Sequence, residues 1–316
     1  MYFPSDEPIR RGRESFPRKV PALHDLPKPV QRAIQQHHSP DDIRTLLDIP
    51  PQRYPLRHTI WRYEFNLGWR RTPPRLLVFG ANAITLVEGT DAHTTYFIPL
   101  DGLLSIRLVT VLLYSTVQFE WRDSARSGAL VHRLQIQLNT IGLRMVEPEL
   151  DQARTWIAAH SGVQDTPVET EPPAAASVRD FPLKFTNFTR SSLLSEEAVW
   201  VGVYEPAIRE AGRWGRPIAP NRAIVLTGQH LIVVSDRENA QSTSSTDSYL
   251  IDRWFCPRAQ ITQAIFDKQN GVTWLTLWLG DATCQHRLPL LEPRADLLQS
   301  ALNRWLVNQA AQVAHS

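Results

Sequence analysis

Two stretches of the chain alternate strictly between apolar and polar residues. They are Val117–Trp121 and Leu134–Leu138. Because successive side chains of a strand point to opposite faces of its sheet, this alternation predicts half-buried antiparallel strands. Apolar residues at helical spacing instead predict amphipathic helices over Glu149–His160 and around Leu298–Leu306. The dominant signal along the chain is therefore short strands, with a helix closing each strand-rich region.

The N-terminal part of the chain has a different pattern. Residues 1–22 combine four prolines with few apolar positions, which is typical of an extended or disordered arm. Residues 23–53 are predicted to form N-terminal helices. Within them, Ser39–Asp42 supplies an N-cap, a first-turn proline and first-turn acids before the apolar residues of Ile43–Leu47. Pro50-Pro51 is expected to end that helix.

The two strand-rich regions match each other in order along the sequence. Leu76–Leu86 matches Ile224–Val234, Tyr96–Pro99 matches Trp254–Pro257, His132–Leu134 matches His286–Leu288, and Glu147-Pro148 matches Glu292-Pro293. Each match is short, but their common order indicates a duplicated unit of about seven strands followed by one helix.

The repeat and the changes in composition give the predicted domain boundaries. The first domain is expected over 54–160 and the second over 181–310. Residues 161–180 are rich in proline, small and acidic residues with almost nothing to bury, and are expected to be the linker. The polar run Arg237–Ser248 occurs in the second copy alone and is expected to be a long loop.

Three segments of the second copy carry a family resemblance. Leu193–Gly202 contains the run Glu-Glu-Ala-Val-Trp-Val-Gly, Val225–Ser235 contains Thr-x-x-x-Leu, and Trp254–Pro257 ends a strand in proline. In these features the chain resembles the bacterial pleckstrin-homology-like (PH-like) family. The resemblance implies a mainly β (α+β) fold. Two seven-stranded barrels, each capped by its C-terminal helix, would follow an N-terminal helical segment.

Charge, hydropathy and cysteine content argue against several classes of protein. The 34 basic and 32 acidic residues leave a net charge of +2, which argues against non-specific nucleic-acid binding. No apolar run is long enough to span a membrane. Cys256 and Cys284 form neither a disulfide framework nor the spacing of a zinc site. The expected location is the cytoplasm, with peripheral contact to the inner face of the membrane as an extension of that expectation.

The resemblance points to an anion site in the loop between the first two strands of each copy. The candidate side chains are Arg70, Arg71 and Arg75 in the first copy and Arg213, Arg216 and Arg222 in the second. Guanidinium groups bind phosphate oxygens through charge-assisted hydrogen bonds. A solvated hairpin tip without a ligand is the alternative interpretation of these residues.

One strand of the second copy is apolar on both faces. Trp274 and Trp278 share one face, and Leu275, Leu277 and Leu279 share the other. A strand of this kind must be covered twice, so Trp274 and Trp278 are candidates for a protein interface.

The sequence contains no catalytic or metal motif, and no cofactor is expected. The repeated His-Arg-Leu at His132 and His286 is explained by the duplication itself. The leading hypothesis is a non-enzymatic adaptor or scaffold that binds a protein partner and, through the arginine loops, an anionic membrane surface. A small-ligand-binding barrel or an enzyme with an unrecognised site is one alternative, and a structural subunit of a larger assembly is another.

Overall fold

A computed structural model describes most of the chain. The described residues are 16–60, 63–89, 94–110, 114–123, 130–161, 178–195, 197–210, 216–236, 250–280 and 284–313. The predicted linker and the polar run after Ser235 therefore lie largely outside the described residues, as does Arg213.

The described secondary structure is mainly β, as predicted. The first part of the chain contains β1 (Arg18–Lys19), α1 (Lys28–Gln35), β2 (Ile43–Ile49), β3 (Arg53–Ile60), β4 (Tyr63–Arg71), β5 (Arg75–Gly80), β6 (Ala83–Glu88), β7 (Thr94–Pro99), β8 (Leu103–Thr110), β9 (Tyr114–Arg122), β10 (Val131–Asn139) and α2 (Thr140–His160). The second part contains α3 (Leu183–Arg190), β11 (Val199–Glu205), β12 (Ile208–Arg209), β13 (Pro217–Ala219), β14 (Arg222–Thr227), β15 (His230–Ser235), β16 (Ile251–Pro257), β17 (Ile261–Gln269), β18 (Val272–Leu279), β19 (Cys284–Leu290) and α4 (Glu292–Val313).

These strands form open antiparallel sheets. The five-stranded sheet has the order β1-β2-β5-β6-β7, the seven-stranded sheet β10-β9-β8-β16-β15-β14-β11, and the three-stranded sheet β17-β18-β19, beside the pairs β3-β4 and β12-β13. None of these sheets closes into a barrel within the described part of the chain, so the expected closed seven-stranded barrels are not found. The physical reason is that β8 pairs with β16 from the second half of the chain.

The chain divides into two compact units. Unit 1 comprises Met1–Leu100, Leu113–Ser115 and Gln137–Leu150, and unit 2 comprises Asp101–Leu112, Thr116–Ile136 and Asp151–Ser316. Strand β8 lies in unit 2 with β16. The segment boundaries 54–160 and 181–310 stay predictions.

The prediction of a helix after Ser39 is wrong. A single 3-10 turn covers Pro40–Asp42, and Ile43–Ile49 then forms β2. This strand lies between β1 and β5, which satisfies its backbone groups, and its β-branched residues suit a strand better than a helix. A helix within the preceding residues is confirmed as α1, which buries Val30, Ala33 and Ile34.

The other strongly patterned segments are confirmed. Val117–Trp121 lies in β9 and Leu134–Leu138 lies in β10. The two predicted amphipathic helices are α2 and α4, although α2 begins at Thr140, before the predicted start, and carries Pro148 inside it. No helix among the described residues has the length and apolar content to cross a membrane.

The same succession of elements occurs twice. A hairpin formed by β5 and β6 has its counterpart in β14 and β15, with Phe79 opposite Ile84 and Leu226 opposite Leu231. These registers align Gly80 with Thr227, one residue away from the match made on sequence. Three backbone hydrogen bonds also recur. In the first half they run from Gly89 N to Pro74 O, from Leu100 N to Asn82 O, and from Arg122 N to Gly102 O. Their counterparts in the second half run, in the same order, from Asp236 N to Asn221 O, from Arg258 N to Gln229 O, and from Gly280 N to Gln260 O.

The recurrence extends to the first long strand of each segment. Strand β2 pairs with β5, and β11 pairs with β14, and both pairings shift register at the second residue of the strand. An eight-residue helix, α1 or α3, precedes each strand. The matching structure therefore starts upstream of residue 54, where the sequence placed the first domain boundary.

The core of unit 2 is centred on α4. Leu298, Leu302 and Trp305 of this helix are fully buried against strands of the seven-stranded and three-stranded sheets. The indole Nε1 of Trp305 donates to the carbonyl of Thr227 at 2.9 Å. At the far end of the three-stranded sheet, Asn270 and Gly271 both have positive φ, as a two-residue hairpin between β17 and β18 requires.

We expect Trp305→Ala to lower the free energy of unfolding by about 3–5 kcal/mol, because it leaves a large cavity and an unpaired carbonyl. Chemical denaturation of the full chain measures this change. Leu297→Ala on the same helix is the control, since Leu297 is 52% exposed and should change the free energy by about 0.5 kcal/mol at most. Equal losses in the two variants would contradict this description of the core.

Candidate functional site

A cavity of about 330 Å³ opens in unit 2. Residues of β8, β9, β14, β15, β16, β18 and β19 and the segment Ile218–Pro220 line it. Ser105 and Arg107 of β8 project into it because residues two apart share one face of a strand. Asp252 and Trp254 of β16 project to the same side, since Trp254 lies directly opposite Arg107. Pairing of β8 with β16 therefore forms one wall of the cavity.

An ion pair joins these two strands. The Nε atom of Arg107 lies 2.9 Å from both carboxylate oxygens of Asp252, and a second guanidinium nitrogen also contacts that carboxylate. Asp252 is buried, with 8% of its side chain exposed, whereas 45% of the Arg107 side chain is exposed. A buried carboxylate needs such a partner, because an isolated one loses its hydration without compensation. The exposed part of the Arg107 side chain lines the cavity.

A second carboxylate lies in the cavity wall. Glu120 of β9 accepts hydrogen bonds from Ser105 Oγ and from His286 Nε2, both at 2.8 Å, and its other oxygen lies 2.8 Å from Arg133 Nε. Burial opposes ionisation of Glu120. The hydrogen bond and charge of His286, with the contributions of Ser105 and Arg133, outweigh it and lower the pKa of Glu120 to about 2. Glu120 is therefore a carboxylate throughout the physiological range.

The partner imidazole is charged. Burial disfavours the imidazolium form of His286, but its hydrogen bonds to Cys284 and Glu120 and the carboxylate charge raise the pKa of His286 to about 9. The ring of His286 also packs against Trp254, with ring centroids 4.6 Å apart. At neutral pH this side chain therefore places a positive charge in the cavity wall.

Cys284 contacts the same imidazole. Its Sγ atom lies 3.5 Å from His286 Nε2, the nitrogen that also donates to Glu120. A relay of the cysteine–histidine–carboxylate type needs the thiol and the carboxylate on opposite ring nitrogens. This arrangement lacks that geometry and does not activate the thiol in that way.

The three donor atoms of this cluster also lie within 4.8 Å of one another, close enough to surround a metal ion. The separation of Cys284 from His286 matches the roughly 3.5 Å edge of a tetrahedral zinc site. However, a metal would have to displace the proton that His286 shares with Glu120. The raised pKa of His286 shows how strongly that proton is held. In this structure His286 and Glu120 form a hydrogen-bonded ion pair, with 2.8 Å between Nε2 and the carboxylate oxygen, and a metal ion could use the same three atoms only after that proton had left.

Two further cations complete the lining. The guanidinium carbon of Arg287 lies 4.7 Å from the centre of the Trp274 ring, a cation–π contact at the cavity. Arg222 lines the cavity from the start of β14 and faces Glu205 of the neighbouring strand. With Arg107 and His286, four cationic groups line the space, against the carboxylates of Asp252 and Glu120.

The predicted site residues lie in different places, and two of them line the cavity. Arg222 and Trp274 both line the cavity. Arg75 starts β5 and is engaged by Glu88, with its Nε atom 2.6 Å from a carboxylate oxygen. Arg216 is exposed before β13. Of the remaining candidates, Arg70 and Arg71 lie at the end of β4, Trp278 is a half-buried residue of β18, and Arg213 lies outside the described residues.

Sequence reasoning missed Arg107, Glu120 and Asp252. Glu120 occupies a polar position of an alternating strand, which the pattern assigns to solvent, yet it is 4% exposed. His286 was noted as half of a repeated motif, but its partner could not be inferred. Its counterpart His132 lies 3.4 Å from Asp123, a different and more exposed carboxylate. The repeated His-Arg-Leu thus marked the position without indicating its chemistry.

The chain matches no protein-family model and no curated protein. The roles given to the cavity residues therefore come from their geometry and their charges.

The Glu120–His286 pair makes stability depend on pH. The pKa of His286, about 9, is above its ordinary value of 6.5, so its contribution is complete below about pH 6.5 and is lost as the pH rises through 9. The lowered pKa of Glu120, about 2, gives a contribution present above about pH 4.5 and lost on further acidification.

We expect the free energy of unfolding of the wild-type chain to fall by about 2–3 kcal/mol between pH 6.5 and 9.5, because His286 loses its charge over this range. The free energy of unfolding of His286→Gln should not show this fall. Urea unfolding across this range measures it. His132→Gln at the matching position should keep the wild-type pH dependence. If His286→Gln and wild type respond identically to pH, the ion pair does not form.

Proposed function

We propose that this chain is a non-enzymatic binding protein that takes a small anionic ligand in the unit 2 cavity. The observation that carries the proposal is the excess of cationic groups around an open space of about 330 Å³. That volume lies at the lower end of small-molecule pockets, which are typically about 300–1,000 Å³. Arginine and imidazolium groups donate hydrogen bonds and accept none, so they favour a ligand rich in acceptor oxygens.

The lining also suggests the shape of the ligand. Arg287 and His286 lie on β19, next to the rings of Trp274 and Trp254. Leu288 of the same strand adds apolar surface. A phosphate, sulfate or carboxylate carried by a small aromatic or aliphatic group would meet both kinds of surface. An inorganic anion would use the charges alone and should bind more weakly.

The non-enzymatic part of the proposal rests on the cysteine–histidine–glutamate cluster. Cys284 and Glu120 share one nitrogen of His286, so the imidazole cannot pass a proton from the thiol toward the carboxylate. The groups are better arranged to hold charge than to move protons.

We also propose that the chain consists of two PH-like copies. From β2 and from β11 onward, each half has one strand, a two-stranded pair, three consecutively paired strands, three further strands and a helix, and the recurring backbone hydrogen bonds support a common origin. Two residues on which the resemblance depends, Glu197 and Thr227, form hydrogen bonds that connect elements of the second copy. The hydroxyl of Thr227 donates to Glu197 and accepts the backbone N–H of His230 at 2.8 Å. Glu197 also lies 2.8 Å from His230 Nδ1, which ties the start of β11 to the β14–β15 turn.

The adaptor role stays part of the proposal. A cavity whose wall contains strands from both halves of the chain would let a bound ligand influence both, and so influence a protein partner. Recruitment to an anionic membrane surface through the arginine loops is a separate expectation, for which Arg71 and Arg216 are the exposed candidates among the side chains that the structure describes.

Calorimetric titration of the full chain with phenyl phosphate tests the binding proposal. We expect a dissociation constant below about 1 mM, weaker binding of inorganic phosphate, and none of benzylammonium, which has the opposite charge. Arg287→Gln should weaken phenyl phosphate binding about tenfold, because one charge-assisted contact is lost. Arg216→Gln, an exposed arginine that does not line the cavity, is the matched control. Equal binding of phenyl phosphate and benzylammonium would contradict the proposal.

Binding should also weaken as the pH rises through about 9, because His286 then loses its charge. Phenyl phosphate is already a dianion above about pH 7, so its own charge does not change in this range. Titrations between pH 7.5 and 10 measure the effect. In His286→Gln the affinity should be lower and nearly constant, and a wild-type affinity independent of pH would exclude His286 from the site.

A further inference from the structure

The pairing of β8 with β16 shows that two particular strand edges fit each other. Thr110 lies opposite Ile251, Arg107 opposite Trp254, and Ile106 opposite Phe255, in a continuous antiparallel register. This contact joins β8, the first of the consecutive strands β8, β9 and β10, to β16, the last of the strands β11, β14, β15 and β16. It also continues a single sheet through seven strands.

The chain contains a second example of each of these strands. Strand β7 corresponds to β16, because each follows the repeated hairpin and ends in a proline, with Pro99 opposite Ala83 and Pro257 opposite His230. Strand β17 corresponds to β8, because three residues separate each of them from the end of the preceding strand, β16 or β7. The recurring bonds Arg122 N to Gly102 O and Gly280 N to Gln260 O fix this alignment.

Both of these strands are sheet edges. Strand β7 ends the five-stranded sheet and β17 ends the three-stranded sheet, and neither has a second strand neighbour among the described residues. An edge strand presents unpaired N–H and C=O groups that can pair with another strand. In the middle of β17, Ile265 is 41% exposed, and in the middle of β7, Tyr96 and Phe97 are half-buried. Ile265 and Tyr96 lie where a partner strand would cover them, whereas the ring of Phe97 already stacks on His37, with ring centroids 4.7 Å apart.

We propose that β17 of one chain pairs with β7 of a second copy of this chain, in the register that β8 and β16 use within one chain. Transferring that register places Thr94 opposite Asp267, Tyr96 opposite Ile265, and Phe97 opposite Ala264. Ala264 and Phe266 already pack on the core of their own unit, so the alternate residue Ile265 is the one that meets the partner. The occupant is a second copy because β7 and β17 of one chain belong to different sheets and are not paired with each other, which leaves each edge for the matching strand of another chain.

Such a contact joins unlike surfaces. Each chain offers β7 at one place and β17 at another, so the association repeats from chain to chain and gives either a closed ring or an open filament. The proposal does not depend on the cavity. None of the six strand residues that it places at the contact lines that space: Thr94, Tyr96, Phe97, Ala264, Ile265 and Asp267.

Sedimentation velocity of the full chain over a concentration series is the first test. Wild type is expected to form species larger than a monomer as concentration rises. Tyr96→Glu with Ile265→Glu places like charges opposite each other and should weaken association at least about tenfold, whereas Tyr96→Glu with Ile265→Lys should restore it. Gln285→Lys, an exposed change on β19 at the other edge of the same sheet, should leave association unchanged.

A cysteine pair tests the register. Directly opposed residues are close enough for a disulfide, whereas residues two positions away along the strand are not. Tyr96→Cys with Ile265→Cys should give a ladder of linked chains on oxidation, and Thr94→Cys with Ile265→Cys should not. The native cysteines, Cys256 and Cys284, are buried and serve as internal background.

The proposal is overturned if wild type remains a monomer throughout the series. It is also overturned if the like-charge and opposite-charge variants associate equally, or if both cysteine pairs give the same products. Because no ligand is present in these experiments, their failure leaves the phenyl phosphate result unaffected, and the reverse also holds.

Discussion

The antiparallel pairing of β8 with β16 is the contact on which the rest of the structure depends. It joins strands separated by more than a hundred residues into one sheet. It brings Arg107 to Asp252, and it gives a buried carboxylate the bidentate partner that its burial demands. The cavity wall is the exposed side of this junction. Without the pairing, Asp252 would be a buried charge with its main partner removed, and the space lined by Trp254 and His286 would lose one side.

Two carboxylate–histidine pairs in unit 2 differ in the charge of the histidine because their surroundings differ. At the cavity, Glu120 holds His286 in its charged form, and the raised pKa of His286 makes the imidazolium a lasting feature of the wall. In the core, His230 is fully buried beside Glu197, and burial together with the charge of Arg154 lowers the pKa of His230. The same residue types therefore provide a cation in the cavity wall in one place and a neutral hydrogen-bonding partner at the β14–β15 turn in the other.

Much of the fold could be predicted because its signals are local. The alternation over Val117–Trp121 is set by strand geometry, and the apolar face around Trp305 is set by helix geometry. The segment after Ser39 was mistaken for a helix because its cap-like residues outweighed the β-branched residues that follow, and pairing with β5 decided the outcome. The cavity could not be predicted in the same way. Glu120 and His286 are 166 positions apart, and only the sheet order brings them together. Arg222 was selected from the resemblance and Trp274 from its apolar strand, and neither inference contained the partner strands.

Hydrogen exchange of backbone amides in the full chain tests whether β8 and β16 form one continuous sheet that supports the cavity. We expect amides within Ile106–Thr110 and Ile251–Phe255 to exchange slowly and together, and to slow further when phenyl phosphate is added. Rapid exchange throughout β8, as expected for a strand without a partner on that side, would contradict it.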